Sequence, residues 1–309
     1  MNTKDLQAFV AVVESGSMVR AAEKLFLTQP GLTRRVQNLE STLGAELLDR
    51  QSKPLRPTPT GNEVYALARQ LLRAVDDLLA VASPQNESTG EMRIGVPPFL
   101  SEMALERPID RLRQAFPKLT LRVTAGWSPG LLQSVDGGAI DAAVVLIPVG
   151  TPLPESVTAT QLGYMPTVIV APRSFGLPDR PTTLAELSRH PWVLNQDGCG
   201  MRSSLSRAMS AAGLSFNVAV EAFGSELQLS LVARGMGIGI AVPEALEEST
   251  HRETLQRIEA ADFHGGLNIW LVHGVLPGRL IRPVALMRDA LAEQLGSGST
   301  SSSVELLPA

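Results

Sequence analysis

The stretch from Ser17 to Gly44 reads SMVRAAEKLFLTQPGLTRRVQNLESTLG, and its hydrophobic spacing predicts two short helices joined by a tight turn. The first helix begins after Ser17, a residue type that caps helix N-termini, and has apolar residues at i, i+3, i+4 and i+7. Thr28 caps the second helix, where Pro30 lies in the first turn and its missing N–H costs little. The pattern therefore predicts a helix-turn-helix.

The second helix has one apolar side and one polar side. Four residues form the side that we expect to face the core: Leu32, Val36, Leu39 and Leu43. The other side, near the helix N-terminus, carries Pro30, Thr33, Arg34 and Gln37. A guanidinium, a hydroxyl and an amide in this position can hydrogen-bond base edges in a major groove. An ordinary three-helix core with a polar face is the alternative.

This segment resembles the LysR-type transcriptional regulators, whose signature is an S-x-S-x-A-A-x-x-L helix followed by S-Q-P-x-[LV]-[ST]-x-x-[IV]-x-x-L-E-x-x-L-G. The chain matches the signature at Ser15, Ser17, Ala21, Ala22, Leu25, Gln29, Pro30, Leu32, Thr33, Val36, Leu39, Glu40, Leu43 and Gly44. The resemblance implies that residues 1–60 form a winged helix-turn-helix domain that binds operator DNA. Leu48 stands where the family has Phe, and Pro57 and Thr60 also depart from the family's wing pattern.

The candidate DNA contacts lie on the second helix and in the wing. On the helix they are Gln29, Pro30, Thr33, Arg34, Arg35 and Gln37, and in the wing they are Arg50, Arg56 and Thr58. We expect the helix to contact bases and the wing arginines to contact phosphates. Residues 1–60 carry eight Lys and Arg against six Asp and Glu, a net charge of +2, so the remainder carries −6. The cations thus lie where phosphates would.

Composition bounds the other properties of the chain. Its 309 residues suffice for two or three domains, and 44% hydrophobic with 19% charged residues is typical of a globular protein. A single cysteine excludes an internal disulfide, and neither a secretory signal nor a transmembrane run is recognisable. We therefore expect a cytoplasmic protein with no membrane partner.

Residues 61–90 are predicted to form a linker helix and a hinge. Thr60 and Glu63 have the spacing of a capping box, and two apolar series repeat every seven residues. The series are Val64, Leu71 and Leu78, and Leu67, Ala74 and Val81. They favour a coiled-coil seam between two chains, with an amphipathic helix packed on its own domain as the alternative. In the family the matching helix dimerises, which implies a homo-oligomer, either a dimer or a tetramer.

Residues 91–295 alternate short apolar runs with helical stretches, which predicts an α/β domain with parallel strands. The resemblance implies two subdomains of the periplasmic-binding-protein type, 91–162 with 267–295 and 163–266, and a small effector between them. It also implies RNA polymerase as a partner. The whole chain is thus an α+β multidomain protein, and we expect a disordered tail over 296–309.

Loops at the carboxyl ends of strands supply the candidate effector contacts. They are Pro98, Phe99, Ser101, Trp127, Ser128, Asn195, Gly198, Arg202, Gly224 and Ser225. Serines and helix N-termini there suit a carboxylate, and the aromatic residues suit a ring. The serines can equally be plain N-caps, Arg202 can cover surface, and the aromatic residues can belong to the core.

No catalytic, metal or cofactor motif is recognisable, so an enzyme on the α/β domain is not favoured. Peroxide-sensing members of the family place a reactive cysteine near the position of Cys199, which leaves a thiol-based sensor as one alternative. A lone thiol is more often passive. A ligand-binding module without DNA function is the remaining alternative.

Overall fold

The structure is a computed structural model that describes residues 2–52, 54–82, 88–98, 100, 105–276 and 278–298. The chain divides into two compact units, one that contains Met1–Glu87 and one that contains Ser88–Asp136 and Ile140–Val275. Each unit has its own elements and hydrophobic core, and they are described separately.

The N-terminal unit is built from four helices and a short wing within the described residues. The helices are α1 (Thr3–Ser15), α2 (Met18–Lys24), α3 (Gln29–Leu43) and α4 (Pro59–Ala82), and the wing strands are β1 (Leu48–Asp49) and β2 (Arg56–Pro57). The core is formed by Leu6, Phe9 and Val12 of α1, Ala21 and Ala22 of α2, Leu32, Val36 and Leu39 of α3, and Leu47 and Leu48. Leu43 was predicted to face this core but is 42% exposed, because it is the last residue of α3.

Side chains and glycines fix the ends of these helices. The predicted caps are confirmed: the Ser17 side chain accepts a hydrogen bond from the N–H of Arg20, and that of Thr28 accepts one from Gly31. The helix α1 ends at Gly16 and α3 at Gly44, each with a left-handed backbone that glycine adopts without strain.

The linker helix α4 begins two residues earlier than its predicted capping box. The Thr58 hydroxyl oxygen accepts from the N–H of Gly61 at 2.9 Å and donates to the Glu46 carbonyl at 2.9 Å, whereas Thr60 lies inside the helix. Thr58 rather than Thr60 is therefore the N-cap, because Pro59 then occupies the first helical turn, where its fixed φ is favourable.

The first sheet of the C-terminal unit has the strand order β4-β3-β5-β12-β6. Its strands are β3 (Gly90–Val96), β4 (Leu119–Ala125), β5 (Ala142–Pro148), β6 (Thr158–Pro166) and β12 (Gly266–His273). The strands β3, β4 and β5 pair in parallel, but β12 is antiparallel to both β5 and β6. The predicted parallel pairing is thus confirmed for β3, β4 and β5, but the sheet as a whole is mixed, because β12 and β6 pair antiparallel. Its chain segment also contains α5 (Glu106–Ala115) and α6 (Ser128–Asp136).

The second group of strands follows β6. The strand β7 (Val168–Pro172) lies between β10 (Gly239–Ala241) and β11 (Leu255–Ile258), both antiparallel to it, while β8 (Pro191–Asn195) pairs in parallel with β9 (Asn217–Ala222). The helices here are α7 (Leu184–Leu187), α8 (Gly200–Ala211), α9 (Ser225–Ala233) and α10 (Pro243–Glu248).

Two crossovers join these groups of strands. The first lies at Thr167, later than the predicted Leu162, because β6 stays paired with β12 through Pro166. The second crossover lies at Gly265, directly before β12. The Thr167 N–H donates to the Gly265 carbonyl at 3.0 Å, so a hydrogen bond joins the two crossovers. The last helix, α11 (Gly278–Gly298), runs into the predicted tail, and residues 299–309 lie outside the described residues.

Candidate functional site

The N-terminal end of α3 presents the candidate DNA-reading surface. Gln29, Pro30, Arg34 and Gln37 are exposed, and the half-buried Thr33 hydroxyl donates to the Gln29 carbonyl at 2.9 Å. Arg34 has no hydrogen bond or ion pair with any described residue, so its guanidinium can bind an outside acceptor. Arg35 is half-buried beside it.

The wing is tied to α3 by a buried carboxylate. Glu40, on α3, accepts from the Leu47 N–H at 2.9 Å and from the Arg50 guanidinium at 2.9 Å. Arg50 was predicted to contact phosphate, and the ion pair gives it a structural partner as well. Arg56 is exposed on β2, while Thr58 is held by its capping bonds.

Between the two groups of strands lies a small cavity of ≈ 20 Å³. Apolar and small residues line it: Pro97, Trp127, Ser128, Leu146, Met165, Cys199, Gly200, Met201, Val242 and Leu267. Of the predicted effector residues, Trp127 and Ser128 lie in its wall. The volume suffices for about one water molecule, so the cleft is closed in this conformation.

An aromatic pair joins the two groups of strands beside the cavity. Trp127, which follows β4, meets Phe223, which follows β9, edge to face with ring centroids 5.4 Å apart. The Trp127 side chain also lies against Gly198, where a Cβ would come within 3.1 Å of the Trp127 Cβ and where φ is +94°. The indole Nε1 is buried and has no hydrogen-bond partner in the described part of the chain. An unused donor therefore lies at the cleft wall.

The predicted serines occupy different settings. Ser128 is buried, and its hydroxyl oxygen accepts from the Leu146 N–H at 2.9 Å, which leaves the hydroxyl proton available to donate. Ser225 is half-buried at the first residue of α9, directly after Gly224. Pro98 is half-buried, and Phe99 and Ser101 lie outside the described residues.

Arg202 was predicted either to contact the effector or to cover surface, and in the structure it is paired. Its guanidinium bonds Asp197 at 3.0 Å, Glu221 at 2.6 Å and the Asn195 carbonyl at 3.0 Å. Its charge is thus already balanced by two carboxylates, so a ligand carboxylate would have to displace one of them.

Asn195 is buried in a hydrogen-bond network that sequence reasoning missed. Its Nδ2 donates to the Gln228 carbonyl oxygen at 2.6 Å, and its Oδ1 accepts from the Gly224 N–H at 3.0 Å. Gln228 was not a predicted site residue. The one sequence signal for it was its position, three residues after Ser225 in a helix that follows a predicted ligand loop. Asn195 therefore positions the Gly224 loop through its own amide.

Cys199 is 3% exposed, and burial raises the pKa of its thiol. A buried thiol with a raised pKa is seldom a thiolate, so its reactivity is low in this conformation. The described residues contain no group of three or more His, Cys, Asp or Glu side chains placed to hold a metal ion. None of the described helices is both long and apolar enough to cross a membrane.

A second cavity, of ≈ 510 Å³, lies beside the two crossovers. Its lining includes Tyr164, Thr167, Arg180, Arg257 and His264, and it contains none of the predicted effector residues. It is large enough for a small molecule and offers a control for experiments on the cleft.

Comparisons with known proteins agree with this organisation. The family described as "Bacterial regulatory helix-turn-helix protein, lysR family" matches residues 3–62, and the "LysR substrate binding domain" matches residues 85–296. A RuBisCO operon transcriptional regulator of Allochromatium vinosum is 27% identical over 291 residues, which cover 92% of this chain and 93% of the relative.

Solved structures share the fold. A full-length OxyR variant from Pseudomonas aeruginosa is similar with a TM-score of 0.75 and 18% identity over 94% of each chain. Full-length CbnR in complex with its target DNA is similar with a TM-score of 0.58 and 21% identity, over 94% of this chain and 100% of that one. With both family domains present in order, this chain belongs to the LysR family of DNA-binding transcriptional regulators, which are not enzymes, and consists of a helix-turn-helix domain and an effector-binding domain.

Proposed function

We propose that this regulator responds to a small aromatic or apolar carboxylate that binds in the cleft at Trp127. The unpartnered indole Nε1 of Trp127, in a mostly apolar wall, carries the proposal. A buried donor without an acceptor destabilises the protein that holds it, and a ligand oxygen would remove that cost. The apolar walls would surround the ring or alkyl part of the ligand.

Other polar groups in the loops that follow the strands would give the carboxylate further donors. The Ser128 hydroxyl proton remains available, and Ser225 and the Gly224 loop lie at the N-terminus of α9, where the helix dipole favours an anion. Arg202 would act by orienting Asn195 and the loop after β8, since its own charge is paired.

Binding would require the cleft to open. A cavity of ≈ 20 Å³ cannot hold a ring, so Trp127 and Phe223 would have to separate. The effector would then bind an open arrangement of the two subdomains and exclude the closed one. Such differential affinity is what shifts a population between states of the regulator.

On the DNA side, we assign base contacts to Gln29, Pro30, Thr33 and Arg34, with Arg35 and Gln37 at the edge of the contact. Arg56 is assigned to phosphate, and Arg50 and Thr58 mainly support the wing. Arg34→Ala is expected to weaken specific binding by about 1–3 kcal/mol, because a free guanidinium can bond a guanine edge. Unchanged affinity for the operator would contradict this assignment.

The linker helix supports a homo-oligomer. Leu67, Leu71 and Leu78 are exposed along α4, and burying them against a second copy would pair two reading heads, as two half-sites require. We propose a tetramer built from such dimers, which acts in the cytoplasm and contacts RNA polymerase at its promoters.

Two linked experiments test the proposal. Selection of bound fragments from genomic DNA, with purified protein at physiological salt, identifies the operator. Titration with benzoate and with its neutral analogue benzamide, followed by tryptophan fluorescence, then tests the cleft. Saturable binding of benzoate that exceeds binding of benzamide is expected, because the carboxylate is the better acceptor.

Variants locate the binding. Trp127→Phe keeps an aromatic ring but removes the indole N–H, so weaker binding is expected. Arg257→Ala is the matched control, since it alters the second cavity. Loss of binding in Arg257→Ala with unchanged binding in Trp127→Phe would move the effector out of the cleft and refute the proposal.

A further inference from the structure

Phe26, in the turn between α2 and α3, has an unusual backbone. Its φ is +54°, and among the described residues it is the one non-glycine residue with a positive φ. A left-handed backbone brings Cβ of an aromatic residue too close to the following carbonyl, so the conformation is strained. The strain is held by the surrounding structure.

The hydrogen bonds around Phe26 explain how it is held. Its N–H donates to the Glu23 carbonyl at 3.1 Å, and the N–H of Leu27 donates to the Ala22 carbonyl at 2.9 Å. These two bonds form a Schellman motif, whose left-handed position is normally glycine. In the same domain, α1 and α3 end at the left-handed Gly16 and Gly44.

The Phe26 side chain gains nothing from the core. It is 97% exposed, while its neighbours Leu25 and Leu27 pack against the hydrophobic core of the domain. The end of α2 therefore explains the left-handed backbone, but it explains neither a phenylalanine in place of glycine nor the exposed ring. Glycine would occupy this position without strain, so an exposed aromatic residue there points to a role in binding.

We infer that the Phe26 ring packs on duplex DNA at the edge of the groove that α3 reads. The residue lies just before Thr28, the N-cap of α3, and close in sequence to the exposed Gln29 and Pro30. Duplex DNA offers apolar surface there in two forms, the CH groups of deoxyribose and the methyl group of thymine. The inference rests on DNA binding, which the family establishes, and not on the proposed effector.

Substitutions separate the ring from the backbone. Phe26→Asn tolerates the left-handed conformation and removes the ring, and Phe26→Tyr keeps the ring. In the full-length protein without effector, Phe26→Asn is expected to bind DNA roughly 5- to 30-fold more weakly, the fold-change of about 1–2 kcal/mol, and Phe26→Tyr to bind nearly as the parent does. Phe26→Gly is expected to bind weakly yet to unfold at a higher temperature, because the strain is released.

Leu43→Ala is the control, since it trims a partly exposed apolar side chain at the other end of α3 and should leave affinity unchanged. Affinity is measured on the selected operator, on the same operator with deoxyuridine in place of thymine, and on a random duplex at low salt. If Phe26→Asn loses affinity on all three duplexes, the ring contacts deoxyribose. If deoxyuridine weakens binding of the parent protein as much as Phe26→Asn does on the thymine operator, the ring contacts a thymine methyl.

Parental affinity of Phe26→Asn on every duplex would overturn the inference. If transcription were lost while DNA affinity stayed unchanged, the ring would instead contact a protein partner, and the DNA assignment would be wrong.

Discussion

Gln228 joins three parts of the effector-binding domain through one side chain. It is 2% exposed on α9, and its amide nitrogen donates to the carbonyls of Val193, on β8, at 2.9 Å and of Ile240, on β10, at 3.1 Å. Its carbonyl oxygen accepts from Asn195 at 2.6 Å. Replacing it by leucine, which has a similar shape, removes all three bonds without opening a large cavity.

The structure sets the size of the effect. In Gln228→Leu the buried Asn195 donor loses its partner, which costs about 1–3 kcal/mol, and each backbone carbonyl loses a bond worth about 0.5–1.5 kcal/mol. We expect the free energy of unfolding of the C-terminal unit to fall by about 2–6 kcal/mol. With a urea dependence of about 2–3 kcal/mol/M, the midpoint should fall by roughly 0.7–3 M.

Tryptophan fluorescence measures this unit alone, because all three tryptophans, Trp127, Trp192 and Trp270, lie in it. Gln196→Leu is the matched control, since Gln196 is exposed and its side chain has no hydrogen bond to any described residue. The reasoning fails if Gln228→Leu shifts the midpoint no more than Gln196→Leu does.

Three further predictions follow from single contacts. Glu40→Ala should destabilise the N-terminal unit by about 1–3 kcal/mol in calorimetry, because the Leu47 N–H and Arg50 lose their acceptor; an unchanged melting temperature would contradict the wing contact. Cys199 should react slowly with iodoacetamide at neutral pH, because burial raises its pKa, and fast alkylation of the native protein would argue against the closed cleft. The Glu186 carboxyl should titrate at a pKa of about 2, mainly through its hydrogen bond to Arg180, so its contribution to stability is present above pH 4.5 and is lost as the pH falls toward 2; an NMR titration that Arg180→Ala leaves unchanged would refute this cause.

Local sequence signals predicted the helix-turn-helix because its information is local. Caps at Ser17 and Thr28 and apolar spacing over a few turns are set by neighbours in sequence. The same rules wrongly predicted Thr60 as the N-cap of α4. The structure has Thr58 there, and Pro59, which favours the first turn of a helix, was the signal for the earlier residue. The direction of β12 was not predictable in this way, because an apolar run has the same pattern in parallel and antiparallel sheets.

The cleft could be predicted in location but not in state. Loops after strands were correctly expected near one another, since Trp127 and Ser128 share a cavity wall and Gly198 lies against Trp127. Two contacts depend on distances between separate segments of the chain. They are the ion pair of Arg202 with Glu221 and the ring contact of Trp127 with Phe223. No periodicity encodes such distances.

Trp127 and Phe26 share a thermodynamic argument. The buried indole N–H without an acceptor and the left-handed aromatic residue each destabilise the unbound protein, and each lies where a ligand or DNA is proposed to bind. When a residue that serves folding is replaced, the protein becomes less stable. When a residue that serves binding is replaced, the protein should instead bind more weakly, while the free protein becomes no less stable. Trp127→Phe and Phe26→Gly should therefore both lower affinity without lowering the stability of the free protein. Gln228→Leu should instead lower stability, because all the bonds of its side chain are internal.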